Sequence, residues 1–283
     1  MAIVTSQQIQ TYFDLYRSIE VTLTKEVSHL LGFLQEQIYL KFGGSIWPCI
    51  LYSTSLEGAK VILNLKADQL ERLRTSSNLG SLRYCFRQPD KTEPLTFFVG
   101  IRVKGYNRYN NGPHKDLYFM TLEFSQRPPD DLIEIVGHFL EANVNSTKRR
   151  DERIAVNERI IQKIGFRSCS AIISVEQVDR KCLLRDLSFG GAQLILPGIA
   201  KFLNNRKAVL KLYSGEDGKL VELEGSFVRV EPVEGRKDLT LAALQFTPEV
   251  VPQAYKMKIN DFLRMQAKLM VLKASSEGTK ESP

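Results

Sequence analysis

The sequence predicts a mainly β protein with helices, an α+β chain of two antiparallel β-barrels, each followed by a closing α-helix, plus an N-terminal helix. Three observations carry this reading. Short runs of β-branched and aromatic residues fill two regions of the 283-residue chain, separated by polar or Gly/Pro stretches, as in successive antiparallel strands. Each region ends in a segment whose apolar residues recur at helical spacing. The two regions also repeat: residues 49–63 (CILYSTSLEGAKVIL) align without gaps on residues 182–196 (CLLRDLSFGGAQLIL), a constant offset of 133.

Residues 6–20 read as the first helix, with Ser6 as N-cap and Ile9, Phe13, Tyr16 and Ile19 on one stripe. A second helical stretch is expected over 27–37. Strands follow over 46–53, 59–65, 82–87, 95–104 and 117–125, with a short helix at 67–74. Pro128-Pro129-Asp130-Asp131 then opens a helix bearing Leu132, Ile135, Val136, Phe139 and Leu140. The polar run 142–148 is expected to be a linker. Strands resume over 167–175, 181–186, 192–196, 208–213, 221–231 and 239–246, and a helix from about residue 249 carries Val251, Ala254, Tyr255, Ile259, Phe262 and Leu263. The domains expected are thus 1–141 and 149–270, joined by 142–148. The Ser/Glu/Lys-rich tail, 271–283, reads as disordered.

Charge separates the halves. Residues 1–147 hold 15 Lys+Arg and 15 Asp+Glu, whereas residues 148–283 hold 24 and 17, so the whole excess of +7 lies in the second half. Residues 148–167 alone carry seven basic and three acidic side chains, which favours a local anion site over a basic face spread across the molecule. Cys49, Cys85, Cys169 and Cys182 form no CxxC pair and have no histidine cluster nearby, so buried free thiols are expected, without metal or disulfide. No signal peptide or membrane span is legible, and a cytoplasmic protein is expected. His29, His114 and His138 are scattered, and no P-loop, HExxH or nucleophile elbow occurs, which argues against an enzyme.

The basic segment opens with Arg149, Arg150 and Arg153, an RxxxR, and Asp186, Ser188, Gly190 and Gly191 form a DxSxxG about thirty residues on. Guanidinium is planar, permanently charged and suited to bidentate phosphate contacts. Asp186 and Ser188, two apart on a strand, would share one face, where a carboxylate and a hydroxyl can read a guanine edge. Each string also has a plainer reading: a solvated basic face for the arginines, and a local Asx or ST turn shaped by Gly190-Gly191 for the second motif.

In order and spacing the two strings resemble the signature of the PilZ domain, the bacterial receptor module for cyclic di-GMP. The resemblance covers about residues 148–266 and includes a strand, Leu223 onward to Arg229-Val230, similar to the family's Gly-x-Val-x-Arg-Val. It implies two PilZ-like barrels, as in the two-domain PilZ proteins of spirochaetes and, less closely, flagellar-brake PilZ proteins. It implies cyclic di-GMP as ligand and no cofactor, held by Arg149, Arg150, Arg153, Asp186, Ser188 and Gly191, with Lys148, Gly190 and Arg229 as secondary candidates. Lys148 occupies the position that in this family influences whether one nucleotide or an intercalated pair is bound.

The first copy keeps the frame without the ligand groups. Ser53 stands for Asp186, and the offset sets Tyr16 and Glu20 against Arg149 and Arg153. The function implied is a monomeric receptor whose nucleotide locks the arrangement of its domains and changes contact with a protein partner, with motility or a related signalling output. The alternative is a nucleic-acid-binding protein whose basic arm grips phosphates, a reading the aromatic and basic residues around 104–109 also suit.

Overall fold

The computed structural model describes residues 5–75, 78–88, 91–109, 116–198, 200–215 and 217–277. His114 and residues 278–283 of the expected tail lie outside them. The chain divides into two compact units, Met1–Glu141 and Ala142–Pro283.

In the first unit, α1 (Ser6–Tyr16) starts at the side chain of Thr5, one residue before the expected cap, and is followed by β1 (Val21–Thr22) and α2 (Lys25–Leu30). The expected helix over 27–37 is cut short because Gly32 takes a left-handed conformation (φ 75°), leaving one 3-10 turn at Gln35–Gln37. Then come β2 (Tyr39–Phe42), β3 (Ser45–Thr54), β4 (Gly58–Asn64), α3 (Ala67–Thr75), β5 (Leu79–Phe86), β6 (Leu95–Arg108), β7 (Leu117–Phe124) and α4 (Asp130–Lys148). Antiparallel pairing runs β3-β2-β5-β6-β7-β4 and returns from β4 to β3, a closed six-stranded barrel with β1 added outside β3. Closure removes the free sheet edges. Alternate residues of each strand fill the interior, among them Leu51, Val61, Leu82, Tyr84 and Met120.

The second unit repeats this plan with β8 (Ile154–Ala155), α5 (Glu158–Ile164), β9 (Ser170–Val175), β10 (Val178–Leu187), β11 (Gly191–Pro197), α6 (Ala200–Leu203), β12 (Lys207–Tyr213), β13 (Leu220–Val233), β14 (Arg236–Phe246) and α7 (Gln253–Glu277). Its ring is β10-β9-β12-β13-β14-β11, closed by β10 on β11, with β8 outside β10. Two expectations are corrected here. Residues 142–148 are helical: they form the last turns of α4, whose Asn145 amide donates to the buried Asn260 Oδ1 of α7 at 2.7 Å. Residues 271–277, given to a disordered tail, continue α7.

The offset of 133 holds beyond the aligned strings. β1 pairs Val21 with Thr54 and Thr22 with Ser53, and β8 pairs Ile154 with Leu187 and Ala155 with Asp186. β3 is bulged between Leu51 and Ser53, and β10 between Leu184 and Asp186. Cys49 and Cys182 occupy one further matched position, both buried, and burial pushes both thiols up to about 12. Both should therefore resist alkylation at pH 8 in the native protein and react once it is unfolded. The unfolded thiols ionise from about pH 9 while the folded ones keep their protons, so stability should fall as pH rises from about 9 towards 12; a series of denaturant melts measures this.

Candidate functional site

The RxxxR segment is the turn that ends α4. The Arg149 N–H still donates to the Asn145 carbonyl at 2.8 Å, and the Glu152 N–H donates back to the Arg149 carbonyl at 3.1 Å. The chain then straightens into β8, where buried Ile154 anchors it against β10. Lys148, the last residue of α4, is exposed. The Arg150 carbonyl accepts from the Gly190 N–H at 3.0 Å, and the Arg150 side chain lies over Gly190, where a Cβ would come within 2.6 Å of its Cγ. The arm and the second motif, 33 residues apart, thus meet.

Arg153 Nη1 donates to Asp186 Oδ1 at 2.6 Å, and the Gln193 N–H donates to the same oxygen at 3.1 Å. The β10 bulge explains why the aspartate faces outward. It breaks the alternation after buried Leu184, so that Arg185 and Asp186 both turn away from the core before Leu187 returns to it. Arg149 is held by Glu152 instead: its Nη2 donates to Oε1 at 2.7 Å and its Nε to Oε2.

Ser188 departs from the expected arrangement. β10 ends at Leu187, and Ser188 is buried in the turn, with its N–H (2.8 Å) and hydroxyl (3.2 Å) both donating to the Gly191 carbonyl. It does not share an open face with Asp186. Its own carbonyl accepts from the Tyr255 hydroxyl of α7 at 2.7 Å. Burial pushes this phenol far above its usual range, and the nearby Asp186 carboxylate adds to the shift. Tyr255 packs against Phe166 and Phe246, so the closing helix holds the motif turn from beneath. Gly191 is also buried, with the Leu244 carbonyl of β14 where a side chain would start.

Register places one row of residues across the outer face of the second barrel: Ala155, Asp186, Gln193, Ala243 and Arg229. At about 4.8 Å per strand, Arg229 lies roughly 14 Å from Asp186, with Gln193 between them. Arg229 is exposed and forks onto Glu231 at 2.8 Å. Sequence reading had no means to find Gln193 or Tyr255, since pairing register and the docking of α7 bring them to the motif. A cavity of about 140 Å³ lies beside the motif turn, lined by Arg150, Phe189, Gly190 and Lys256 among others.

The matching row of the first unit is Thr22, Ser53, Lys60, Thr121 and Gly105. Here Glu20, at the position of Arg153, accepts from Lys60 at 2.6 Å and from the Ser53 hydroxyl. Burial alone would raise the Glu20 carboxyl, but Lys60 and Ser53 outweigh it and hold it below the usual range. A cavity of about 510 Å³ lies over this row, lined by Glu20, Ser53, Lys60, Lys104, Thr121 and Glu123. Lys104 is paired with Glu123 at 2.8 Å. A phosphate arriving here would meet a carboxylate at the position where the second unit presents Arg153.

Comparison with known proteins matches residues 7–143 to the PilZN3 domain and residues 147–264 to the PilZ domain. A "Cyclic di-GMP binding protein" of Treponema denticola is 40% identical over 278 residues, 98% of this chain and 87% of the relative. The chain belongs to the PilZ family. Among solved structures, Borreliella burgdorferi PlzA in complex with c-di-GMP is 24% identical to this PilZ protein, with 91% of this chain and 98% of that one covered and a TM-score of 0.41. YcgR in complex with c-di-GMP from Escherichia coli is 12% identical, with 88% and 89% covered and a TM-score of 0.30. Two barrels of one plan accord with two family domains in tandem. Among the described residues, no helix is long and apolar enough to cross a membrane, and no cluster of metal-ligating side chains occurs.

Proposed function

We propose that this PilZ protein is a cytoplasmic, non-enzymatic receptor for cyclic di-GMP, binding it on the second barrel through Arg149, Arg150, Arg153 and Asp186. The observation that carries this reading is the meeting of the arm with the outward carboxylate of the bulged strand, Arg153 on Asp186 at 2.6 Å, with Arg149 and Arg150 alongside in the arm. The name of the 40% identical relative supports the ligand. Two phosphodiester charges and two guanines offer targets for guanidinium forks and for a carboxylate respectively. Hydrogen bonds to charged groups contribute about 1.5–3 kcal/mol each, so four or five of them with stacking give an affinity between about micromolar and nanomolar after association costs.

Gly191 serves this site through strand packing, and Ser188 through the turn that aims Asp186. The arm follows directly on α4, so closing it on the ligand fixes the end of that helix. We assign the signal to this step: a population shift in how the first unit meets a protein partner, limited by how much better the nucleotide binds the closed form. The output assigned is motility or a related signalling response, by the family resemblance.

Calorimetry on the full chain tests the binding. Cyclic di-GMP should give saturable heat with the wild type, and Arg149→Ala should weaken binding at least about tenfold, the loss of one or two charge-assisted hydrogen bonds. No heat with the wild type, or equal binding by the variant, would sink the receptor reading. A nucleic-acid binder would instead bind DNA or RNA with a steep salt dependence and show no preference for the cyclic dinucleotide.

A further inference from the structure

We infer that Glu152 is a built-in competitor for the ligand: its carboxylate occupies the fork of Arg149 and thereby sets the concentration at which the receptor responds. This rests on the nucleotide-binding reading above. Glu152 accepts from Arg149 Nε and, at 2.7 Å, from Nη2, so the side-on edge of the guanidinium is filled in the bidentate manner a phosphate would use. The Arg149–Glu152 backbone turn places the two side chains together at i, i+3. Both are more than a third exposed, at 36% and 41%, so the pair is accessible and inexpensive to open.

The duplicated unit acts as an internal control. At the offset of 133, Tyr16 stands for Arg149 and Ile19 for Glu152, so arginine and carboxylate are absent together from a unit that folds to the same plan. The neighbouring Arg150 behaves differently. Its counterpart Arg17 is kept and pairs with Glu57, whose own counterpart is Gly190. Glu152 is therefore tied to the functional arginine and not to the barrel. Asp151 carries the same charge on the same exposed turn but contacts no arginine among the described residues.

Binding must exchange the carboxylate for a phosphate and move it away from a doubly anionic ligand, and both effects weaken association. Removing the charge should recover the loss. Calorimetry with cyclic di-GMP on the full chain at low and high salt should show Glu152→Gln binding about two- to fivefold tighter than wild type, the scale of an exposed ion pair. The advantage should shrink as salt screens the competitor. Asp151→Asn should stay within about twofold of wild type, and Glu152→Ala should follow Glu152→Gln.

A wild type that binds while Glu152→Gln binds equally or more weakly overturns the inference alone, because the carboxylate would then position Arg149 for the ligand. Equal gains from Asp151→Asn and Glu152→Gln would overturn it too, by showing a general field effect. A wild type that does not bind removes the receptor reading and this inference with it.

Discussion

Arg153→Ala is expected to lower cyclic di-GMP affinity by at least about a hundredfold, about 3 kcal/mol, while leaving the second barrel folded. Two effects add in the bound state. The ligand loses its own guanidinium contacts, each worth about 1.5–3 kcal/mol, and Asp186 loses the cation that neutralises it beside an incoming dianion. In the free protein the cost is small. Arg153 is about half exposed, and Asp186, the more buried partner, keeps the Gln193 N–H, so less than about 1 kcal/mol of stability is expected to go. Arg153→Lys restores the charge without the planar fork and should recover only part of the affinity. Calorimetry paired with a thermal melt reads both quantities. Wild-type affinity in Arg153→Ala would remove the arm from the site, and a collapsed melt would make the residue structural.

What the sequence made legible, and what it did not, divides along physical lines. Alternation of apolar residues placed most of the barrel strands to within a few residues, because one face of each strand fills the interior. The offset of 133 was readable as a string over 15 residues, yet in space it extends back to Val21 and Ile154, through two-residue strands too short to carry a pattern. The polar run ending α4 resembled a loop because Asn, Ser and Thr are weak helix formers; a side-chain contact, Asn145 on Asn260, overrides that preference. Arg153 and Asp186 were named through the family resemblance of their two strings, and the fold does bring those side chains together. The face of Ser188 could not, since the bulge and the end of β10 reset the period of two on which that expectation rested. Gln193 joins the row only through register.

The copies also differ in the side chains that their shared frame carries. Bulge, turn and crossing glycine are common to both units, whereas the charge reverses at one arm position, Arg153 against Glu20. Where the second unit pairs Arg153 with Asp186, the first pairs Glu20 with Lys60. Each unit closes the same barrel without the other's pair, so neither pair is required by the fold.

Gly191→Ala is expected to destabilise the second barrel by about 2–3 kcal/mol, an overpacking cost, which is on the order of 10 °C in Tm for a unit of this size. The added Cβ would sit 2.5 Å from the Leu244 carbonyl oxygen. That atom belongs to the backbone of β14, which pairs with β11 over seven residues from Gly191 to Pro197, so relief requires the two strands to separate. Gly190→Ala should cost far less despite a similar 2.6 Å approach, because there the obstacle is the Arg150 side chain, which can rotate away. Denaturant or thermal unfolding of the full chain distinguishes the roles. If Gly191 serves only the ligand's approach, the alanine variant will bind weakly and melt like wild type. If strand packing is the reason, stability falls without ligand present, and Gly58→Ala, whose Cβ would lie 2.3 Å from the Leu122 carbonyl oxygen, should destabilise the unit that lacks the ligand motif by a comparable amount.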